Sequence, residues 1–359
     1  MYLNTATMAL GAAPVREAYE QALAEWVSGR FDYTAAERAG EDCRRLFAGL
    51  IGATADEVAL VPSVSAAAGA VAAQLGPAKT GENVVVGAQE FSSNYFPWLL
   101  LRDRGYEIRT VPFVNGAPRV EDYASAADPR TRLLAVSAVQ SATGAAVDLA
   151  ALADLVHRGG GWIFVDACQA AGAVPLDARA TKLDFLAAAS HKFLCGTRGM
   201  GYLFARSELA PALRPIGPGW KAARDPLGSG YGPSMDLSPT ASKLDASLAW
   251  FAGVGERNAL GIFEELGTER IFEHNRGLVR RLRERLAADG WTLAGGPGDA
   301  RSTIVSVPVE DPEGALGRLS EARVVASAPA GRLRLSLHLY NSPDDVDVVA
   351  DLLSKERPR

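Results

Sequence analysis

The segment Leu183-Asp-Phe-Leu-Ala-Ala-Ala-Ser-His-Lys192 decides what kind of fold this chain adopts. Its apolar run predicts a buried strand that ends in a small polar turn carrying His191 and Lys192. Further along, Gly199-Met-Gly201-Tyr-Leu-Phe predicts a tight turn and another strand. Burial of a lysine at a strand end disfavours its charged form, which suits a nucleophilic amine that later carries a proton. Taken alone, the segment also fits a lysine that extends from the strand end to solvent.

A second apolar strand ends in a carboxylate. The run Trp162-Ile-Phe-Val-Asp166-Ala-Cys-Gln169 lies upstream of the lysine segment. A Schiff-base lysine and a carboxylate that keeps a ring nitrogen protonated are the two groups that pyridoxal phosphate (PLP) requires. Gln169 is close enough in sequence to reach the same ring edge. By itself, Asp166 is equally well explained as a strand-end cap.

Strands alternate with helices through the first two thirds of the chain, which predicts an α/β fold with a mostly parallel sheet. We predict strands at Glu57–Val61, Asn83–Val86, Glu107–Val111, Thr131–Ser137 and Trp162–Val165, and helices at Val15–Leu50, Ala66–Gln74, Ser93–Arg104 and Leu149–His157. The segment Pro215–Pro239 is rich in Gly, Pro and Ser and predicts a long loop, a type of segment that is often functional.

The C-terminal third predicts a smaller α+β domain. We expect a helical region with a break near Gly267, then short strands and a last helix. These elements are Lys243–Ala288, strands near Ser302–Val307, Val324–Ser327 and Arg332–Leu337, and a helix from Asp344. We therefore divide the chain into a large domain, 15–240, and a small domain, 241–359 together with 1–14.

Composition excludes several classes of protein. The chain has 359 residues, 48% hydrophobic and 22% charged, as in ordinary globular proteins. A net charge of -5 offers no basic field for nucleic acid, and no apolar run reaches the roughly 18 residues of a membrane span. The first residues lack a secretory pattern, and the three cysteines (Cys43, Cys168 and Cys195) argue against disulfides, so we expect a cytoplasmic protein. The scattered histidines predict no metal site.

The segment Leu183–Leu203 resembles the signature of class V aminotransferases, a family that includes cysteine desulfurases and isopenicillin N epimerase. Residue type and spacing agree through Ser190-His191-Lys192 and Gly199-Met-Gly201, and further motifs occur in the family's order. The resemblance implies the PLP-dependent fold type I, with a mostly parallel seven-stranded sheet in the large domain and a smaller α+β domain.

The resemblance also implies how PLP is held. Lys192 would carry it as a Schiff base, with Asp166 on the pyridine nitrogen and Gln169 beside the ring. Leu237-Ser238-Pro-Thr240 resembles a loop that reaches the phosphate of the neighbouring subunit. It therefore implies a homodimer with shared active sites.

Two further segments resemble cofactor contacts. Pro62-Ser-Val-Ser65-Ala-Ala-Ala68 matches the phosphate-binding turn, where Ser65 offers a hydroxyl and Ala66 lies among the N–H groups of a helix start. An ordinary N-cap uses the same groups. Phe91 stands where an aromatic ring stacks on the pyridine. The desulfurases have histidine there, and phenylalanine cannot move a proton.

Polar residues near the phosphate and the substrate occur in the same order. Ser141 stands where the family places a polar side chain near the cofactor's phenolic oxygen and the substrate carboxylate, with Gln140 as the alternative. His191 matches a phosphate-binding histidine of the desulfurases. Ser190 substitutes for a serine that the family has at the position of Ala189.

The C-terminal motif implies a substrate contact. Arg334-Leu-Ser-Leu-His-Leu-Tyr340-Asn341 resembles the family segment whose arginine grips the substrate α-carboxylate, a role that suits the two-pronged guanidinium. We expect Arg332, two positions earlier, to face the other side of the strand. The N-terminal Tyr2-Leu-Asn4-Thr-Ala-Thr7 resembles a strand that skirts the substrate pocket, so Asn4 is a further candidate.

The resemblance implies an enzyme that acts on an α-amino acid through an external aldimine and a quinonoid, with Lys192 as the base. The residues leave the subsequent reaction step open. A persulfide-forming desulfurase needs a nucleophilic cysteine on a mobile loop before the Arg334 strand, and Leu319–Gly331 contains none. We expect an amino-acid lyase that acts by β-elimination, with a C–S bond as the candidate. The alternatives are an aminotransferase and, behind it, an epimerase or a non-catalytic regulator.

Overall fold

The structure is a computed structural model that describes residues 1–114, 116–117, 119–293 and 301–354. The α-helices of these ranges are α1 Ala13–Val27, α2 Tyr33–Leu50, α3 Val64–Ala72, α4 Phe96–Leu99, α5 Val120–Ala126, α6 Leu149–His157, α7 Trp250–Leu266, α8 Thr268–Ala288, α9 Pro312–Glu321 and α10 Pro343–Leu353. The strands are β1 Val58–Val61, β2 Asn83–Gly87, β3 Glu107–Val111, β4 Thr131–Ser137, β5 Trp162–Asp166, β6 Phe185–Ala189, β7 Gly201–Ala205, β8 Ile304–Val307 and β9 Leu333–Ser336.

The seven strands β1 to β7 form one sheet in the order β1-β7-β6-β5-β4-β2-β3. Strand β7 runs antiparallel to both of its neighbours, and the remaining pairs are parallel. The prediction of an α/β fold with a mostly parallel seven-stranded sheet is therefore confirmed. The carboxyl ends of β4, β5 and β6 lie side by side, with Ser137 opposite Asp166 and Asp166 opposite Ala187. Polar residues that come directly after these strands thus meet at one edge.

Apolar side chains cover both faces of this sheet. Alternate residues of each strand point to opposite faces. Val85, Leu134 and Val165 therefore belong to one buried cluster, while Leu133 and Phe164 belong to another. Burial on both faces explains why these strands read as continuous apolar runs in the sequence. None of the helices in the described ranges is long and apolar enough to cross a bilayer.

The predicted helical region Val15–Leu50 consists of two helices. Gly29 has a left-handed φ of +72°, which glycine adopts without strain, and α1 ends before it. Asp32 caps α2 by accepting hydrogen bonds from the N–H groups of Thr34 and Ala35 at 2.9 and 3.0 Å. The break results from a glycine turn and an aspartate cap.

The predicted helical region Lys243–Ala288 starts later than expected. Gly267, with a φ of +80°, separates α7 from α8, as the sequence predicts. The preceding segment forms a short 3₁₀ helix, Ala241–Leu244, and α7 begins only at Trp250. The predicted loop Pro215–Pro239 contains one 3₁₀ turn, Trp220–Ala222.

The small sheet pairs β8 with β9 in antiparallel register. The predicted strand Val324–Ser327 forms only single bridges, one from Val325 to Tyr2 and one from Ser327 to Arg334. Asn4 bridges to Ser336 of β9, so the first residues pack on the small sheet. The division of the chain at residue 240 stays a prediction.

Candidate active site

Lys192 lies in the turn after β6, beside the end of β5. Its Nζ is 5.4 Å from the centroid of the Phe91 ring. The turn is closed by backbone bonds from Cys195 N–H to the Lys192 carbonyl and from Gly196 N–H to the Ser190 carbonyl, both 3.0 Å. Within the described ranges, Nζ makes no hydrogen bond or ion pair. These bonds fix the backbone of the turn at Lys192, and the amine of the side chain has no hydrogen-bonding partner among the described residues.

Asp166 is the last residue of β5 and is buried. Its Oδ1 accepts a hydrogen bond from Cys168 N–H at 2.9 Å. Burial raises the pKa of this carboxyl, and the nearby charge of Lys192 opposes the rise. A buried carboxylate beside a lysine favours a further cationic N–H as its partner.

Arg334 of β9 is buried and surrounded by uncharged groups. Its Nη1 donates to the Ser141 carbonyl at 2.9 Å, its Nη2 to Thr7 Oγ1 at 2.7 Å, and its Nε to Ser327 Oγ at 3.1 Å. No carboxylate of the described residues pairs with it. Burial lowers its pKa to about 10. A buried cation without an anion is costly, so this guanidinium favours an anionic ligand.

Gln169 and Ser141 connect the Arg334 region to the end of β5. Gln169 Nε2 donates to Ser141 Oγ and to the Ala6 carbonyl, both at 3.1 Å. Gln169 Oε1 is a buried acceptor with no donor among the described residues. Ser141 Oγ also lies 3.3 Å from Arg334 Nη1. The free Oε1 therefore needs a hydrogen bond that a polar ligand can supply.

The start of α3 offers backbone N–H groups to an anion. Ser63 caps the helix and accepts a hydrogen bond from Ala66 N–H at 3.1 Å. Ser65 Oγ lies 3.0 Å from Ser63 Oγ. Among the described residues, the N–H groups of Val64 and Ser65 have no acceptor. The two hydroxyls and these two N–H groups are therefore the groups that an anion can contact here. The N–H of Ala66, which the sequence predicted as a contact, already donates to Ser63 Oγ.

Asn4 is linked to the arginine through one residue. Asn4 Oδ1 accepts a hydrogen bond from Thr7 Oγ1 at 2.8 Å, and the same Thr7 oxygen accepts from Arg334.

His191 is half-buried, and burial together with the charges of Lys192 and Arg198 lowers its pKa to about 4. Its imidazole is neutral at neutral pH and offers one N–H donor.

Three predicted contacts have other partners in the structure. Ser190 Oγ donates to the Thr197 carbonyl. Gln140 braces its own loop, since its Oε1 accepts from Ala142 N–H at 2.6 Å and its Nε2 donates to a backbone carbonyl. Among the described residues, Ser238 Oγ bonds only within its own turn, to Thr240 and Ser242. The expectation that Arg332 faces the other side of the strand is wrong, because residues two apart in a strand point to the same face. Its Nε donates to Ser306 Oγ at 2.8 Å, and Ser306 is the residue paired with Arg334 across the small sheet.

Three residues of the site, Thr7, Ser327 and Glu90, were not named as candidates by the sequence. Thr7 orients Arg334, and Ser327 bonds its Nε. Glu90 is a buried carboxyl that accepts from Ser137 N–H at 2.9 Å and from Asn94 Nδ2 at 3.0 Å. Burial raises its pKa to about 7. Thr7 ends the N-terminal segment that carries the resemblance, and Glu90 directly precedes Phe91; these positions are the signal that could have identified them.

The three cysteines are buried and unpaired. Burial raises the pKa of Cys43 and Cys168 well above the usual thiol range and that of Cys195 to about 12. Thiolates are the reactive form of cysteine, so burial disfavours the reactive form of all three side chains. Within the described ranges, no group of three or more metal-ligating side chains lies together.

The family model described as aminotransferase class-V matches residues 7–349. The chain belongs to the class V aminotransferase family. An uncharacterized aminotransferase, YcbU, of Bacillus subtilis (strain 168) is 30% identical over 306 residues, 85% of this chain and 80% of that protein. A probable cysteine desulfurase of Methanothermobacter thermautotrophicus is 28% identical over 386 residues, 99% of this chain and 94% of that protein.

The fold agrees with this membership. A solved structure of a C-DES variant with glycine covalently linked to its PLP cofactor superposes with a TM-score of 0.88 and 18% identity, over 99% of this chain and 96% of that chain. The predicted family, fold type and cofactor are confirmed: this class V protein is a PLP-dependent enzyme. The residues present fit that cofactor, because Asp166 and the free Gln169 Oε1 are buried polar groups beside an unpaired lysine.

Proposed function

We propose that this enzyme is an amino-acid lyase that eliminates a β-substituent, with a C–S bond as the bond that breaks. The observation that carries the proposal is Arg334, a buried guanidinium whose partners in the described ranges are all uncharged. An α-carboxylate is the anion that completes it. Ser141 and Gln169 connect Arg334 to the end of β5, which lies beside the Lys192 turn. The amino group of a substrate held by Arg334 would therefore face Lys192.

We infer that several residues hold the cofactor. Asp166 would accept a hydrogen bond from the pyridine nitrogen, Phe91 would cover the ring, and Gln169 would bond a polar group of the ring. The α3 start, with Ser65, and the neutral His191 would bind the phosphate. When bound, PLP supplies an electron sink for the carbanion at the substrate Cα.

Lys192 is the residue that would transfer the substrate proton. Lys192 Nζ would take the Cα proton; the electron pair then forms a Cα–Cβ double bond while the Cβ–S bond breaks, and the sulfur leaves as a thiolate that is protonated by solvent. Phe91 cannot exchange protons. The buried thiols offer no persulfide acceptor, which supports elimination over a cysteine-dependent desulfurase. Free buried thiols also support the cytoplasmic location.

The experiment separates elimination from transamination. The purified enzyme is incubated with L-cystine and, in parallel, with L-alanine, and its spectrum and the pyruvate formed are monitored. We expect stoichiometric pyruvate from cystine and a retained aldehyde form of the cofactor. A lasting pyridoxamine form that a keto acid reverses would replace the lyase by an aminotransferase, the activity in the name of the Bacillus subtilis relative.

We also propose a homodimer in which the 215–239 loop contacts the neighbouring subunit. This loop exposes Ile216, Leu227, Tyr231 and Met235, and Tyr231 is 96% exposed. Apolar side chains exposed together on one loop favour a protein interface. Light scattering should give twice the mass of one chain, and a Tyr231→Asp variant should lower it; a monomeric wild type would contradict the proposal.

A further inference from the structure

His338 lies two residues after the end of β9 and is fully buried. Its Nε2 is 2.9 Å from the carbonyl oxygen of Phe193, the residue that directly follows Lys192. The Phe193 and His338 rings also meet edge to face, with their centroids 5.4 Å apart. The segment that carries Arg334 is therefore in direct contact with the turn that carries Lys192.

A glycine leaves the space for this carbonyl. A Cβ added to Gly172 would lie 2.3 Å from the Phe193 oxygen, so a larger residue at that position would displace the carbonyl. Gly172 has a left-handed φ of +84°, which glycine adopts without strain. Phe193 is fully buried, and a buried carbonyl needs a donor. The Nε2–H of His338 is the donor that the folded chain supplies.

The partners of the imidazole fix which of its nitrogens carries the hydrogen. A carbonyl can only accept, so Nε2 donates to Phe193. Nδ1 lies 3.3 Å from Asn275 Nδ2, which is also 3.4 Å from the Ala173 carbonyl. The amide nitrogen donates to both acceptors, so Nδ1 is unprotonated and the imidazole is neutral. Asn275 of α8 therefore orients the imidazole with its Nε2–H toward the Lys192 turn.

The backbone between Arg334 and His338 is held by further hydrogen bonds. Leu337 N–H donates to the Thr303 carbonyl at 3.0 Å, and His338 N–H donates to Asn341 Oδ1 at 2.9 Å. Because this backbone is fixed, the imidazole bond to the turn after β6 also fixes the distance from that turn to the guanidinium.

We propose that His338 is a positioning residue, whose Nε2–H bond to the Phe193 carbonyl fixes the Lys192 turn relative to the guanidinium on β9. An α-amino acid carries its amine and its carboxylate on one carbon, so the distance between the groups that receive them selects this class of substrate. The inference rests on the proposed roles of Lys192 and Arg334. His338 acts through these two residues.

The test measures how much the α-carboxylate contributes to binding. Holoenzymes are titrated with L-alanine and with ethylamine, which lacks the carboxylate, and each dissociation constant is obtained from the absorbance of the cofactor on mixing. The ratio of the ethylamine constant to the alanine constant is defined as the carboxylate preference. Arg334→Leu should abolish this preference and provides the reference value.

Four further variants separate the imidazole bond from a general effect on packing. His338→Leu removes the donor, whereas His338→Gln can place an amide nitrogen on the Phe193 carbonyl. Asn275→Ala removes the donor to Nδ1 and leaves the imidazole less well oriented. His274→Leu is the matched control, because the Nε2 of His274 bonds a different backbone carbonyl, that of Asn341, at 3.0 Å. Melting temperatures of all variants are measured in parallel.

We expect His338→Leu to lower the carboxylate preference between about tenfold and about a hundredfold, because a small misplacement of a bound group has an effect of this size. Asn275→Ala should show a smaller loss, and His338→Gln and His274→Leu should stay within about threefold of wild type.

A wild-type preference in His338→Leu, whatever its melting temperature, would overturn the proposal, as would an equal loss in His274→Leu. If His338→Leu does not fold, a wild-type preference in Asn275→Ala overturns it. A wild-type preference in Arg334→Leu would instead contradict the carboxylate contact on which the proposed function depends.

Discussion

Arg44 and Arg334 are two arginines buried to nearly the same degree, and the protein surrounds them in opposite ways. Arg44 Nη2 lies 2.6 Å from Asp245 Oδ2, and its Nε lies 2.8 Å from Glu41 Oε2. Burial alone lowers the pKa of Arg44, but these carboxylates more than offset it and raise the pKa. Among the residues that the structure describes, the Arg334 guanidinium meets only hydroxyls and a carbonyl, and burial lowers its pKa.

The difference separates a structural charge from a functional one. Arg44 joins α2 to the segment before α7, and its carboxylate partners are complete in the folded chain. Arg334 is oriented by Thr7, Ser141 and Ser327, while its charge has no counterion in the described ranges. A protein retains such a desolvated cation when a ligand supplies the anion.

Replacing Arg334 by leucine should produce the largest loss of activity. Removal of one partner of a buried, hydrogen-bonded charge pair costs about 2–5 kcal/mol, so kcat/KM should fall between roughly thirtyfold and roughly five-thousandfold. The melting temperature should stay equal or rise, because an unpaired buried charge is removed. Arg332→Leu, two positions earlier in the sequence, is the matched control because the Arg332 guanidinium bonds to Ser306 of the neighbouring strand, and it should change kcat/KM by less than about threefold. Equal losses in both variants would contradict a specific carboxylate contact.

Replacing Arg44 by leucine should instead reduce stability. The change leaves Asp245 buried without its cation, which lowers the free energy of unfolding by about 3–5 kcal/mol. Denaturant unfolding measures this, and kcat/KM per folded molecule should be unchanged. The double variant Arg44→Leu/Asp245→Leu should recover most of the loss. If Arg44→Leu affected kcat/KM and left stability intact, the contrast between the two arginines would be wrong.

Thr7→Val should have a smaller effect than Arg334→Leu. It removes the hydroxyl that accepts from Arg334 Nη2 at 2.7 Å. A hydrogen bond to a charged group contributes about 1.5–3 kcal/mol, so kcat/KM should fall at least about tenfold. We expect the loss mainly in KM, because the guanidinium remains present but less well oriented. Thr7→Ser keeps the hydroxyl and should retain activity; a loss as large as that of valine would indicate a packing role.

Much of the fold and the centre of the site can be predicted from local sequence. Continuous apolar runs define β5 and β6, and the polar residues directly after them place Asp166 and Lys192 at one edge of the sheet. The direction in which a side chain points at a turn, in contrast, cannot be predicted from the local sequence. Ser190 donates to the Thr197 carbonyl, in a turn that packs against Glu256 of α7, a residue distant in sequence.

The misplaced element boundaries have a similar cause. The break between α1 and α2 depends on Gly29 and the Asp32 cap, which a periodicity of apolar residues does not show. Val324–Ser327 has the composition of a strand, but its backbone bonds reach the first residues of the chain and β9 only singly. Pairing partners of this kind are set by tertiary contacts.

The central claim is that Lys192 holds the cofactor, and the position of the reduced adduct tests it most directly. The holoenzyme is treated with borohydride, digested and mapped by mass spectrometry. Lys221 and Lys243 are also buried, but Lys221 is paired with Glu37 at 2.6 Å and Lys243 donates to the Ala210 carbonyl at 2.9 Å. We predict a pyridoxyl group on Lys192 alone and none in Lys192→Ala. An adduct on Lys221 or Lys243, or an undiminished adduct in Lys192→Ala, would contradict the account.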